Sequence, residues 1–93
     1  MPKMNEIEIK FTPQERALII DHTFADPGLT KRLKIAEIKG KHLIAKYSIH
    51  DLDDLLGFIA AEANHTDDKK IGKKLDRVFE RLTRILEKEI YNQ

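Results

Sequence analysis

Residues Asp67 to Tyr91 read as one long helix with two unlike faces, and this segment limits what the rest of the chain can be. At 100° per residue, Ile71, Leu75, Val78, Phe79, Leu82, Ile85 and Leu86 gather on one side. Lys70, Lys74, Arg77, Arg81, Arg84 and Lys88 fall on the far side. The apolar side needs cover; the basic side needs water, acidic neighbours or an anionic partner. Such a helix is about 36 Å long, whereas a globule of this size has a radius of gyration near ~12 Å.

The preceding segment supplies part of the cover. Leu52, Leu55, Leu56, Ile59, Ala60 and Ala63 recur at three-four spacing, and Asp51, Asp53 and Asp54 sit in the first turn, where acids suit the positive end of the helix dipole. Phe58 and Ala61 lie off that stripe, beside Gly57, so this helix is expected to touch material on two sides. Asn64-His65-Thr66 is a short connection: Asn64 suits a left-handed C-cap, and Thr66 can cap the last helix. Helices joined so tightly run antiparallel. At about 21 Å the first of them cannot cover all of the second. The apolar residues Phe79, Leu82, Ile85, Leu86 and Ile90 therefore form the expected self-association surface, unless the N-terminal layer shelters them.

That layer begins with Ile7, Ile9 and Phe11 alternating with Glu6, Glu8 and Lys10, the pattern of a half-buried strand. Thr12-Pro13-Gln14-Glu15 is a capping box with proline at the first helical position. It predicts a helix to His22 that buries Ala17, Ile20 and part of Leu18 and Ile19. Asp26-Pro27-Gly28 turns the chain. Residues 29–39 fit either a short helix or a strand through Leu33, Ile35 and Glu37; the favoured reading is a helix over Leu29–Lys34, a hairpin around Gly40 and a strand from Leu43 to Tyr47. Lys10-Phe11-Thr12-Pro13-Gln14-Glu15 is faintly echoed by Lys46-Tyr47-Ser48-Ile49-His50-Asp51, each a strand end, a hydroxyl cap and an acid three positions on. Such junctions favour these residue types anyway. The expected fold class is α+β: one domain over residues 1–93, in which a small two- or three-stranded sheet (residues 1–48, with its helices) packs against a C-terminal antiparallel helical hairpin (residues 49–93).

Charge is nearly balanced, with 17 basic and 16 acidic residues, but unevenly placed. Residues 29–46 carry +5, residues 47–68 carry −6 and residues 69–93 carry +4, which suits mutual neutralisation within the fold or across a subunit boundary. Without cysteine there is neither a disulfide nor thiol chemistry, and a cytoplasmic location is expected. The start of the chain lacks the apolar run of a signal peptide, and Leu55–Ala61 is too short to span a bilayer. No membrane partner is expected.

Three constellations carry candidate chemistry. The ridge of Lys70, Lys74, Arg77, Arg81, Arg84 and Lys88 is a candidate surface for an anionic partner, nucleic acid included, weighed against a plain solvated face. No helix-turn-helix, zinc-finger spacing or RNA-stacking motif accompanies it. Glu62 and His65, three apart near a helix end, could ligate a metal only with further donors, since di-iron bundles use two such pairs and additional carboxylates. His50 with its neighbouring aspartates, and Asp21 with His22, are acid–imidazole neighbours without a nucleophile or phosphate loop; the glycines are isolated. The sequence thus points to a small non-catalytic binding or regulatory module without cofactor, self-associating through its hairpin or binding another protein. A nucleic-acid accessory role and a metal-dependent activity are the alternatives.

Overall fold

The alternation of Ile7, Ile9 and Phe11 with charged residues becomes strand β1 (Glu6–Phe11) in a computed structural model of the chain, which describes residues 6–91. The expectation that no leader segment precedes β1 rests on residues outside that range. Helix α1 (Pro13–His22) follows at once through the anticipated capping box: Glu15 N–H donates to Thr12 Oγ1 at 3.1 Å, and Thr12 N–H donates to Glu15 Oε1 at 2.9 Å. The buried residues of α1 are Leu18 and Ile19; Ile20 is half-buried and Ala17 exposed. This reverses the expected emphasis. Ala17-Leu18-Ile19-Ile20 has no polar break, so its periodicity cannot choose a face; tertiary packing does.

Residues 29–39 resolve as the favoured alternative. Asp26 caps helix α2 (Pro27–Ile35), accepting from Gly28 N–H at 2.8 Å, and the buried face is Leu29, Thr30 and Leu33. At its far end the Arg16 guanidinium donates to the carbonyls of Leu33 and Ala36 at 3.5 and 3.4 Å, where a cation suits the helix dipole. Strand β2 (Ile38–Lys39) then turns at Gly40, whose φ of 65° favours glycine, into β3 (His42–Ser48). The sheet is antiparallel throughout, in the order β1-β3-β2, with Ile9 opposite Ala45 and Glu8 opposite Lys46. Its inner face presents Ile9, Phe11, Leu43, Ala45 and Tyr47; Glu8, Lys10, Ile44 and Lys46 face outward.

Ser48 starts helix α3 (Ile49–His65) by accepting from Asp51 N–H at 3.1 Å. The hairpin connection differs from expectation. Asn64 lies inside α3, and no described residue other than glycine has a positive φ; α3 ends at an extended Thr66 whose N–H donates to Glu62 O at 2.9 Å. Helix α4 (Lys69–Tyr91) is capped by Asp68, not Thr66: its Oδ1 accepts from the N–H groups of Lys70 and Ile71 at 2.9 and 3.1 Å. Thr66 Oγ1 instead accepts from Asp68 N–H at 3.2 Å and holds the cap in place.

Sheet and helices share one core, with Phe11, Tyr47, Leu33, Leu52, Leu55, Ile59, Leu75 and Leu82 at its centre. The distal part of α4 finds its shelter there: Leu82 is 0 % and Leu86 7 % exposed, and Phe79 and Ile85 are half-buried. Each fully buried side chain of this size contributes about 1.5–3 kcal/mol. The molecule accommodates a 23-residue helix by elongation, measuring 45 × 28 × 22 Å, so that α4 must run near the long axis. No described helix is long and apolar enough to cross a membrane.

Candidate functional site

The two strand-to-helix junctions carry the most built chemistry in the molecule. At the first, Arg81 reaches back from α4 to Glu15, Nη2 to Oε1 at 2.8 Å and Nε to Oε2 at 3.2 Å, with its guanidinium carbon 5.6 Å from the Phe11 ring centroid. At the second, Arg32 of α2 places Nη2 at 2.8 Å from Asp51 Oδ2 and its guanidinium carbon 5.3 Å from the Tyr47 ring centroid, while Nη1 donates to Lys46 O at 3.2 Å. The two rings meet edge to face, 6.4 Å apart. The 36-residue offset that relates Phe11 to Tyr47 also relates Ile9 to Ala45, which are register partners, so the sequence echo is a local two-fold arrangement about that pair. Tyr47 donates from its hydroxyl to Leu29 O at 2.7 Å, and burial drives its ionisation well above the usual phenol range, with nearby Arg32 opposing and Asp51 reinforcing the shift. Both junctions bind the fold to itself; neither exposes a reacting group.

This geometry divides the basic ridge. Arg81 is committed to Glu15 and Phe11, whereas Lys70, Lys74, Arg77, Arg84 and Lys88 are exposed and make no salt bridge among the described residues. The ridge does not dock on the acidic segment of its own chain; that segment meets Arg32 instead. Of the expected self-association residues, Leu82 and Leu86 belong to the protomer's core, Phe79 and Ile85 are half-covered, and Ile90 remains 54 % exposed beside the exposed Tyr91.

Among the other candidates, Glu62 is half-buried and His65 exposed, and no group of three or more His, Cys, Asp or Glu side chains comes together to hold a metal among the described residues. His50 Nε2 lies 3.6 Å from Asp54 Oδ2 on the exposed side of α3. Asp21 and His22 are exposed at the end of α1, on the rim of a smaller groove against α4.

Sequence reasoning missed a groove of about 1140 Å³ between α2, α3 and α4. Its apolar lining comes from Leu56, Gly57, Ala60 and Ala61 on α3 and from Phe79 and Leu86 on α4. The small residues of α3 keep it open: a Cβ built on Gly57 would meet nothing within 4 Å. Thr83 also lines it, and its hydroxyl is shielded from solvent without a hydrogen-bond partner among the described residues. Asp26, which caps α2, and Asp51, Asp53 and Asp54 of α3 also line the groove. On the other helix, Asp76, Glu80 and Glu87 are exposed and follow the three-four spacing immediately beside Phe79, Thr83 and Ile90. Among the described residues Arg32 is the one cation in the lining, and it is bound to Asp51. The signal for this site lay in Phe58, Gly57 and Ala61 off the main stripe of α3, together with the acids on one flank of α4.

Against known proteins, no family model, no curated protein and no solved structure matches this chain. The functional reading therefore rests on the site itself.

Proposed function

We propose that this chain is a non-catalytic binding module whose α3–α4 groove seats an amphipathic helix of a protein partner, one with lysine or arginine beside its apolar stripe. The observation that carries this reading is an apolar floor lined by Asp53 and Asp54 whose one cation among the described residues, Arg32, is already neutralised; helical spacing sets the exposed Glu80 and Glu87 on the flank of α4 beside it. A partner helix would lay its apolar residues against Phe79 and the small residues of α3, its cations meeting Asp53 and Asp54 on one side and Glu80 and Glu87 on the other. A second copy of the chain, seated here by two-fold symmetry, would set one acidic rim against another, so charge favours a basic partner over self-association through the hairpin.

The test is binding of a designed peptide with a leucine stripe flanked by lysines, followed by fluorescence anisotropy. Asp53→Lys combined with Asp54→Lys, both exposed positions, should weaken binding at least about tenfold while circular dichroism remains helical. Undiminished binding by that variant rejects the groove. The exposed cations of α4 support a second reading, a nucleic-acid surface, and the same assay separates it. Arg77→Glu with Arg84→Glu should leave peptide binding intact, but would abolish any salt-sensitive binding of a single-stranded oligonucleotide. Arg84 is chosen over Arg81 because Arg81 holds Glu15.

A further inference from the structure

The two edges of the sheet are treated differently by the fold. Beyond β3, short β2 pairs with only the first residues of that strand, and α2 closes over the rest: Arg32 donates to the Lys46 carbonyl, and the Tyr47 hydroxyl donates to Leu29 O. At the opposite edge stands β1, all six residues of which pair with β3 on one side, while no described strand pairs with it on the other. An open strand of this length is a ready template for another strand, unless its side chains forbid the pairing.

Here the side chains specify it. In an antiparallel pairing of β1 with a second β1 about a two-fold axis at Ile9, Glu8 stands opposite the second copy's Lys10 and Lys10 opposite its Glu8. Ile7 then faces Phe11, and Ile9 faces Ile9. Neighbouring registers fail. An axis at Glu8 sets Glu8 against Glu8, and an axis at Lys10 sets Lys10 against Lys10. A shift by one residue opposes Glu8 to Ile9 and mixes the polar outer face with the apolar inner one. Of these registers, the one centred on Ile9 alone satisfies every position from Ile7 to Phe11.

We infer that β1 is a homodimerisation edge: two copies join β1 to β1 in the register centred on Ile9, making a continuous six-stranded sheet with both helical layers on the same side. The α3–α4 groove takes no part in this contact, so the dimer and the binding module stand or fall separately.

A charge-exchange experiment in analytical ultracentrifugation over a range of protein concentrations tests it. The parent chain should form a dimer. Lys10→Glu sets a carboxylate opposite Glu8 at both symmetry-related positions, and should weaken dimerisation at least about tenfold; within the protomer Lys10 faces only Ile44, so the fold is spared. Glu8→Lys should do the same, and because it also sets a lysine opposite Lys46 within the protomer, its fold is checked by circular dichroism. Mixed in equal amounts, the two variants regain opposite-charge pairing and should form a heterodimer that neither can form with itself. A parent that stays monomeric at every concentration overturns the inference, as does a dimer unaffected by Lys10→Glu or a mixture that fails to associate. The groove variant Asp53→Lys with Asp54→Lys should dimerise like the parent; if it does not, the contact lies on the hairpin and the β1 inference fails.

Discussion

The junctions Phe11–Glu15 and Tyr47–Asp51 solve one problem with different parts. Each has an aromatic residue just before a hydroxyl that caps a helix, and holds the acid three positions after that cap with an arginine lying over the aromatic ring. The arginines come from unrelated places, α4 for one and α2 for the other. The difference is reach. Glu15 is long enough to accept from Thr12 N–H and from Arg81 at once. Asp51 is a methylene shorter; its contact is Arg32, and the capping there is one-way. Arg32 is correspondingly less committed, dividing itself between Asp51, the Lys46 carbonyl and a Glu6 carboxylate 4.0 Å away.

The largest test of this contrast removes the arginines. Arg81→Ala loses a two-point ion pair and the cover over Phe11, and should cost about 1–2 kcal/mol after allowance for its partial exposure. Arg32→Ala should cost less, about 0.5–1 kcal/mol, and respond more to salt. Urea denaturation of the two variants compares them directly, and the reverse order would show that Asp51 is the firmer anchor.

A smaller effect separates the aromatics. The folded state holds the Tyr47 phenol in its neutral form, with ionisation displaced upward by burial. Its contribution is fully present below the unfolded phenol value near ~10 and is lost as pH rises beyond it, by up to about 1.4 kcal/mol per pH unit. Tyr47→Phe should cost about 1 kcal/mol at neutral pH through the bond to Leu29 O, and should flatten the stability loss above about pH 10. Stability curves at neutral and alkaline pH measure both. An unchanged alkaline slope would assign that loss to other groups. Smallest of all, Asp51→Glu gives the second junction the reach of the first, and should shift stability by no more than about 0.5 kcal/mol, the regained capping bond offsetting a looser grip on Arg32. A thermal melt resolving a larger loss would mean that the short aspartate is required there.

What could be read before the structure follows a physical line. The alternation of β1, the two hydroxyl caps, the turn at Gly40 and the stripes of α3 and α4 are local patterns, fixed by residues within a turn or two of each other. The failures are of another kind. Ala17-Leu18-Ile19-Ile20 could not declare its buried face, because four apolar residues in a row fit any. Arg81 looked like one more cation of a ridge, because its partner lies 66 positions away. Which of two covers would shelter Leu82 and Leu86, the N-terminal layer or a second copy, also depended on distant packing, and the protomer's own elongated core supplies it. The groove was visible only as residues that did not fit the main stripe of α3, and its meaning depended on which flank of α4 would stand across from them.

The contact between Arg81 and Glu15 has a mechanical consequence. It fastens α4 to the first turn of α1, two elements far apart in the sequence. Loosening α4 should therefore disturb the capping turn that launches α1, because Glu15 serves both contacts.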